Sequence, residues 1–198
     1  MQPPVSPPIV KSEREIEIKL RVGAPRTAGR LLRAAGFHVS RRRVFEDNLI
    51  LDTPELALRN RGGLLRVRTA GGASTLTYKG PATAGPYKSR EELEIEISGA
   101  GTALSIFEKL GYRPVFRYQK HRAEYTQRDA RGVVTLDETP IGCFLEIEGA
   151  PRWIDRTARK LGFRESDYIK ESYGALYFQF CAERGLKPGN MVFPRCAT

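Results

Sequence analysis

Almost every strand-like segment of this chain carries a file of full charges on one face, and no other feature of the sequence restricts its fold as much. Glu13, Glu15, Glu17 and Lys19 alternate with Ile16, Ile18 and Leu20. Arg66 and Arg68 lie opposite Leu65 and Val67, and Arg90, Glu92, Glu94 and Glu96 lie opposite Leu93, Ile95 and Ile97. Lys120, Arg122 and Glu124 form another file, followed by Asp137 and then by Glu146 with Glu148. Lys79 ends a segment whose same-face neighbours are Thr75 and Thr77. A period of two is the signature of a β-strand. An ordinary half-buried sheet has one apolar face and one mixed polar face, whereas these faces hold mainly Arg, Lys and Glu.

The period predicts strands over 13–22, 43–52, 64–69, 74–78, 90–98, 115–127, 132–137 and 143–149, separated by Gly, Pro and Asp turns. Helical patterns occupy 26–36, 101–110, 152–161 and 167–183, the first ended by Gly36 and the second by Gly111. No repeat or linker divides the chain. The expectation is one α+β domain over 13–184 built on an antiparallel sheet, with a Pro-rich tail at 1–12 and a flexible tail at 185–198.

Two arrangements accommodate the charged faces. The sheet can stay open, its charges solvated and discouraging edge pairing. Alternatively, helices cover the apolar faces and the charged faces curl together into a barrel with a polar interior. The four helices need an apolar surface to pack on, and scattered Ser, Gln and Asn are scarce, which favours the barrel. Such an interior is tolerable only if its charges satisfy each other or a ligand. Carboxylates grouped with Arg and Lys suit a polyphosphate together with a hard divalent cation.

No apolar run approaches the ~20 residues that cross a bilayer. The first eight residues hold four prolines and no apolar core of a secretory signal. Cys143, Cys181 and Cys196 are odd in number and far apart, which points to a reducing, cytoplasmic setting. With only His38 and His121 besides, a zinc site is excluded and any metal must be held by carboxylates.

The order of motifs resembles that of CYTH-domain proteins, the triphosphate tunnel metalloenzymes. Glu15-Ile16-Glu17-Ile18-Lys19 matches their ExExK signature. Asp52-Thr53-Pro54, Leu65-Arg66-Val67-Arg68, Tyr78-Lys79-Gly80, Arg90-Glu91-Glu92, Lys120-His121-Arg122, Leu136-Asp137 and Phe144-Leu145-Glu146-Ile147-Glu148-Gly149 follow in the family's order, and Lys170 with Ser172-Tyr173 resembles its late helix motif. The resemblance implies an eight-stranded antiparallel tunnel that binds a triphosphate with Mg²⁺ or Mn²⁺, and a homodimer. Carried over by position, Glu15, Glu17, Glu146 and Glu148 hold metal, with Asp137 as a further acidic contributor. Lys19, Arg66, Arg68, Lys79, Arg122 and Lys170 grip phosphate, and Lys19, Arg66 and Asp137 are the catalytic set. Glu92, Glu94 and Glu96 read as salt-bridge partners of tunnel arginines, Lys120 as a supporting group, and His121 as facing the other way.

Three functions follow in order. The first is metal-dependent hydrolysis of inorganic triphosphate, a nucleoside triphosphate or thiamine triphosphate. The second is a class IV adenylate cyclase, releasing cyclic AMP and pyrophosphate from ATP. The third is a non-catalytic polyphosphate or nucleic-acid binder, motivated by the net charge of +10 and by Arg41-Arg42-Arg43. Against nucleic acid, the basic residues are not interleaved with stacking aromatics.

Overall fold

The structure is a computed structural model that describes residues 11–128 and 131–194. Eight strands form its centre: β1 (Lys11–Val22), β2 (His38–Asp52), β3 (Leu64–Ala70), β4 (Ala73–Lys79), β5 (Lys88–Ile97), β6 (Arg113–Thr126), β7 (Gly132–Thr139) and β8 (Gly142–Gly149). They close into a barrel in the order β1-β5-β4-β3-β2-β6-β7-β8, and every pair is antiparallel. The closed α+β tunnel expected from the charge files is therefore the observed fold.

Because the charged faces turn inward, the hydrophobic core lies outside the barrel, between strands and helices. Helices α1 (Pro25–Ala34) and α4 (Pro151–Lys160) begin alike, with proline at the first position, where its missing N–H is no loss. Their Ala28, Leu32, Ile154 and Ala158 pack on Ile18, Leu20, Leu145 and Ile147 of β1 and β8. Helix α3 (Ala100–Lys109) covers Leu51, Leu65 and Val67 with Leu104 and Phe107. Helix α5 (Tyr173–Glu183) sets Tyr173 and Leu176 against Tyr118, Ile141 and Phe144. A single-turn helix, α2 (Ala57–Asn60), has no counterpart in the sequence reading.

Two expectations need correction. The helix expected over 167–183 starts six residues late. Ser172 is its N-cap, accepting Ala175 N–H at 3.2 Å, and the chain before it is extended. Ile169 there exchanges both backbone hydrogen bonds with Lys19, at 2.9 Å each, so this segment closes against β1. The stretch after residue 184, expected as a flexible tail, is docked as far as it is described. Met191 is 0 % exposed, donates to Arg117 O at 3.0 Å and accepts from Gln119 N at 2.9 Å. An apolar side chain eight residues past the end of α5, with these two backbone hydrogen bonds, anchors it. Most of the expected 1–12 tail lies outside the described residues; Lys11 and Ser12 already belong to β1.

Met191→Ala is expected to destabilise the fold by about 2–5 kcal/mol, read as a lowered urea midpoint. A change within the ~0.5 kcal/mol typical of surface substitutions would show that the C-terminal stretch is not part of the core.

Candidate functional site

The inward side chains surround a cavity of about 690 Å³. Its walls are placed by register. Glu17 lies opposite Glu148 and Lys19 opposite Glu146 across β1 and β8, while Glu15 faces Arg90 across β1 and β5. Arg66 and Arg68 sit two residues apart on β3, about 7 Å by strand rise, and point to the same side as Thr77 and Thr75 of β4.

Inside, nearly every charge is held by one of opposite sign. Lys79 Nζ donates to both oxygens of Glu15 at 2.7 Å and lies 2.9 Å from Glu92. Glu17 accepts from Lys88 at 2.7 Å and from Lys19 at 3.1 Å, and Lys19 also pairs with Glu146 at 3.1 Å. Arg122 bridges Asp137 and Glu146. Arg66 donates to Thr77 at 3.0 Å and to Tyr118 Oη and Glu94 at 3.4 Å each.

Two places are out of balance. Glu148 makes no ion pair among the described residues, and burial together with the carboxylates of Glu15 and Glu17 pushes it up to about 7. Arg68 has the opposite problem. Burial and the neighbouring Arg66 guanidinium lower its pKa, and among the described residues one hydrogen bond to Asn48 at 3.1 Å is its only side-chain partner besides a Glu46 oxygen 3.7 Å away. Arg66 Nε and Glu46 Oε2 are buried without a hydrogen-bond partner. The tunnel thus has a carboxylate without a cation at Glu148 and a guanidinium short of acceptors at Arg68. Elsewhere burial and pairing compete. Glu17 is pushed up by burial but driven well below the carboxylate range by Lys19 and Lys88. Lys88 is lowered to about 8 by burial and by Lys19, against the pull of Glu17.

Glu15, Glu17, Lys19, Arg66, Arg68, Lys79, Arg122, Glu146 and Glu148 all line the one cavity. Asp137 and Lys170 do not. Asp137, 0 % exposed, is covered by three lining side chains, Lys120 (2.9 Å), Arg122 (2.6 and 2.7 Å) and Tyr173 Oη (2.6 Å), all of which donate to it. Lys170 is exposed outside the tunnel, its Nζ donating to Gly85 O at 3.1 Å. Glu92 and Glu94 are partners of Lys79 and Arg66, whereas Glu96 faces solvent. His121 packs outside, between Phe45 and Phe193.

Several residues of the site escaped the sequence reading. Lys88 lies one inward step before Arg90 and would have emerged had the period been extended by two residues. Glu46 and Asn48, which approach Arg68 without lining the cavity, occupy a file continued by Ile50, so no row of charges announces them. Tyr118 and the aromatic end of the cavity gave no charge signal at all.

A family model for the CYTH domain matches residues 13–173. A Methanocaldococcus jannaschii protein provisionally named an adenylate cyclase is 30 % identical over 134 residues, which cover 68 % of this chain and 75 % of that one. Among solved structures, a Pyrococcus horikoshii protein of 26 % identity superposes with a TM-score of 0.67, covering 80 % of this chain and 96 % of that chain. A Hippeastrum protein, provisionally named an adenylyl cyclase and described as having a dominant triphosphatase activity, superposes with a TM-score of 0.59 at 22 % identity, covering 88 % of this chain and 97 % of that one. A match that runs from the first carboxylate strand to the start of α5 makes this chain a member of the CYTH-domain family.

Proposed function

We propose that this enzyme hydrolyses a triphosphate inside the tunnel with the help of a divalent cation. The two places out of balance support this reading most directly. A triphosphate would supply acceptors to Arg68 and to the unpartnered Nε of Arg66, and a cation would relieve Glu148, which is crowded by Glu15 and Glu17.

Among the described residues no three carboxylate, histidine or cysteine side chains converge tightly enough to enclose an ion alone. The donor set nonetheless fits a hard cation. It is made of carboxylate oxygens, and Glu148 stands unpaired beside two like charges. Glu15, Glu17, Glu146 and Glu148 would hold Mg²⁺ or Mn²⁺, which supplies neutralisation of charge on phosphate oxygens. The rest is done by the chain. Arg66 and Arg68 bind phosphate oxygens through guanidinium forks, a stronger and more directional contact than a neutral donor gives. Lys19, Lys79 and Lys88 add ammonium groups, each already held by a carboxylate of the wall. Asp137 is a positioning residue: it aims Lys120 and Arg122 and touches no substrate. Phosphoryl transfer needs positioning and charge neutralisation more than a covalent nucleophile, and this cavity offers no cysteine, histidine or triad.

The second reading is cyclisation of a nucleoside triphosphate with release of pyrophosphate, supported by the name of the Methanocaldococcus relative. The same walls serve it, and products separate the two. With Mn²⁺ the enzyme is expected to release inorganic phosphate from tripolyphosphate or ATP, and EDTA is expected to stop it. Cyclic AMP with pyrophosphate would install the second reading instead. Glu148→Gln, which breaks no ion pair, is expected to lower turnover by a hundredfold or more (~2.7 kcal/mol) with the circular dichroism spectrum unchanged. A variant as active as wild type would remove Glu148 from the metal site.

Glu148 also sets a stability trend in the metal-free protein. Its carboxyl is raised to about 7 in the folded state, against about 4.3 for an unperturbed Glu. Between those values the folded chain keeps a proton that the unfolded chain has lost, so this group's contribution to stability falls as pH rises. Metal-free Glu148→Gln is therefore expected to melt above wild type at pH 8 and level with it near pH 4. A variant melting at or below wild type at pH 8 would contradict the crowding of carboxylates.

A further inference from the structure

The cavity is charged through its middle but not at both ends. Where β2 and β3 leave the barrel, its wall is Ile50, Leu56, Leu64, Val115, Phe116 and Phe178. Gly174 and Ala175, in the first turn of α5, face the same space with almost no side chain. Phe178 and Val115 remain 37 % exposed there, apolar surface left to water next to a wall of ion pairs.

Ring and charge are joined in one run along β6. Phe116 stacks on Tyr118, centroids 6.1 Å apart and planes at 24°. Tyr118 takes a hydrogen bond from Arg66 at 3.4 Å, and Lys120 and Arg122 follow on the same face in steps of about 7 Å. Phe178 extends the aromatic surface, its ring 5.9 Å from Phe116 at 32°. A group bound on Phe116 and Phe178 is thus next to the guanidinium groups that would hold phosphate.

The other side of this mouth is held by Asp52. Its Oδ1 accepts the N–H groups of Thr53 (2.8 Å) and Leu58 (2.9 Å), and its Oδ2 that of Arg59 (3.0 Å). These bonds fold 53–59 into a hook in which Leu56 is left-handed, φ 58° and ψ 41°, a conformation a leucine seldom adopts. The hook places Leu56 in the mouth and lays the Arg59 guanidinium over Phe178, 5.6 Å from the ring centroid. Arg59 makes no ion pair among the described residues, since Asp52 takes its backbone rather than its side chain.

We infer that this mouth binds the base of a nucleoside triphosphate, so that the substrate is a nucleotide and not inorganic triphosphate. The inference rests on the triphosphate reading of the tunnel. Inorganic triphosphate would use the charged walls and leave the aromatic surface hydrated. Stacking on aromatic rings and on a guanidinium plane suits any nucleobase, because every base has a π-face. A thiamine ester fits less well: its cationic ring meets Arg59, and Asp52, the carboxylate that lines this mouth, is already saturated by three N–H groups.

The test is calorimetric titration of the intact protein with ATP, tripolyphosphate and thiamine triphosphate under one divalent-cation concentration, with turnover measured alongside. Wild type is expected to prefer ATP over tripolyphosphate. Phe178→Ala is expected to reduce that ratio about tenfold, and Phe178→Trp to restore it. Phe178 is partly exposed, and an unchanged melting temperature would show that the variant folds. Equal or tighter binding of tripolyphosphate by wild type overturns the inference, as does a ratio unmoved by Phe178→Ala. Thiamine triphosphate binding tighter than ATP overturns the choice of base. Failure to bind any of the three would overturn the triphosphate reading itself, whereas triphosphate binding blind to the organic group overturns only this extension.

Discussion

A barrel that turns its charges inward must pair almost all of them, and the rest of the structure follows from that constraint. Removing one partner of a buried ion pair destabilises by about 3–5 kcal/mol, so isolated charges inside would unfold the chain. The solution here is sharing. Lys19 touches Glu17 and Glu146, Arg122 touches Glu146 and Asp137, and Lys120 touches Asp137 and Glu46. Each of these four carboxylates is held from more than one direction. Tyr173 completes Asp137 with a third donor, which ties the start of α5 to the tunnel floor. With the interior given to ions, apolar burial moves to the outer face, and the helices become its cover.

Function then resides where the pairing is incomplete. A tunnel of perfectly matched pairs would gain little by binding an ion, because each new contact would displace an old one. Glu148 lacks a cation and Arg68 lacks a full complement of acceptors, and they lie on different parts of the wall. A lone phosphate chain would relieve only one of these, and a lone cation only the other. Joint occupation by an anion and a cation would relieve both, which is the physical basis of the metal-dependent triphosphate chemistry we propose. The matched pairs contribute in another way: they hold the side chains ready, so that less ordering is left to binding.

What the sequence revealed depended on periodicity. Strand residues facing inward had to be charged and those facing outward apolar, so the barrel, the helices that cover it and nine wall residues could be read from an alternation of two. The misreadings arose where periodicity carries no information. Asp137 has the right phase and type for the wall, but Lys120, Arg122 and Tyr173 all bond to it and close it off from the cavity. Lys170 was assigned inward as part of a helix; the chain there is extended because Ser172 caps the helix two residues later, and the lysine points out. Glu46 and Asn48 share a file with an isoleucine and so looked unremarkable. The aromatic mouth was illegible because Phe116, Phe178 and Arg59 come from three elements and meet only once the barrel has closed.

The same accounting explains what the net charge of +10 does. Cations and carboxylates balance approximately within the tunnel, so the excess must lie on the outer surface. The run from residue 23 to residue 45 alone holds Arg26, Arg30, Arg33, Arg41, Arg42 and Arg43 and no acidic residue, and all six arginines are exposed. Arg41 and Arg43 pair with Glu124 and Glu138 at the surface, but exposed pairs of this kind contribute little, roughly 0–1 kcal/mol. Salt screens such charges over about 8 Å at physiological ionic strength, so they cannot add to the grip on a substrate already inside. Their effect is on encounter: a cationic exterior raises the local concentration of anions and speeds their arrival. Affinity and arrival are therefore set by separate sets of residues, the first by a few imbalances within the tunnel and the second by arginines outside it.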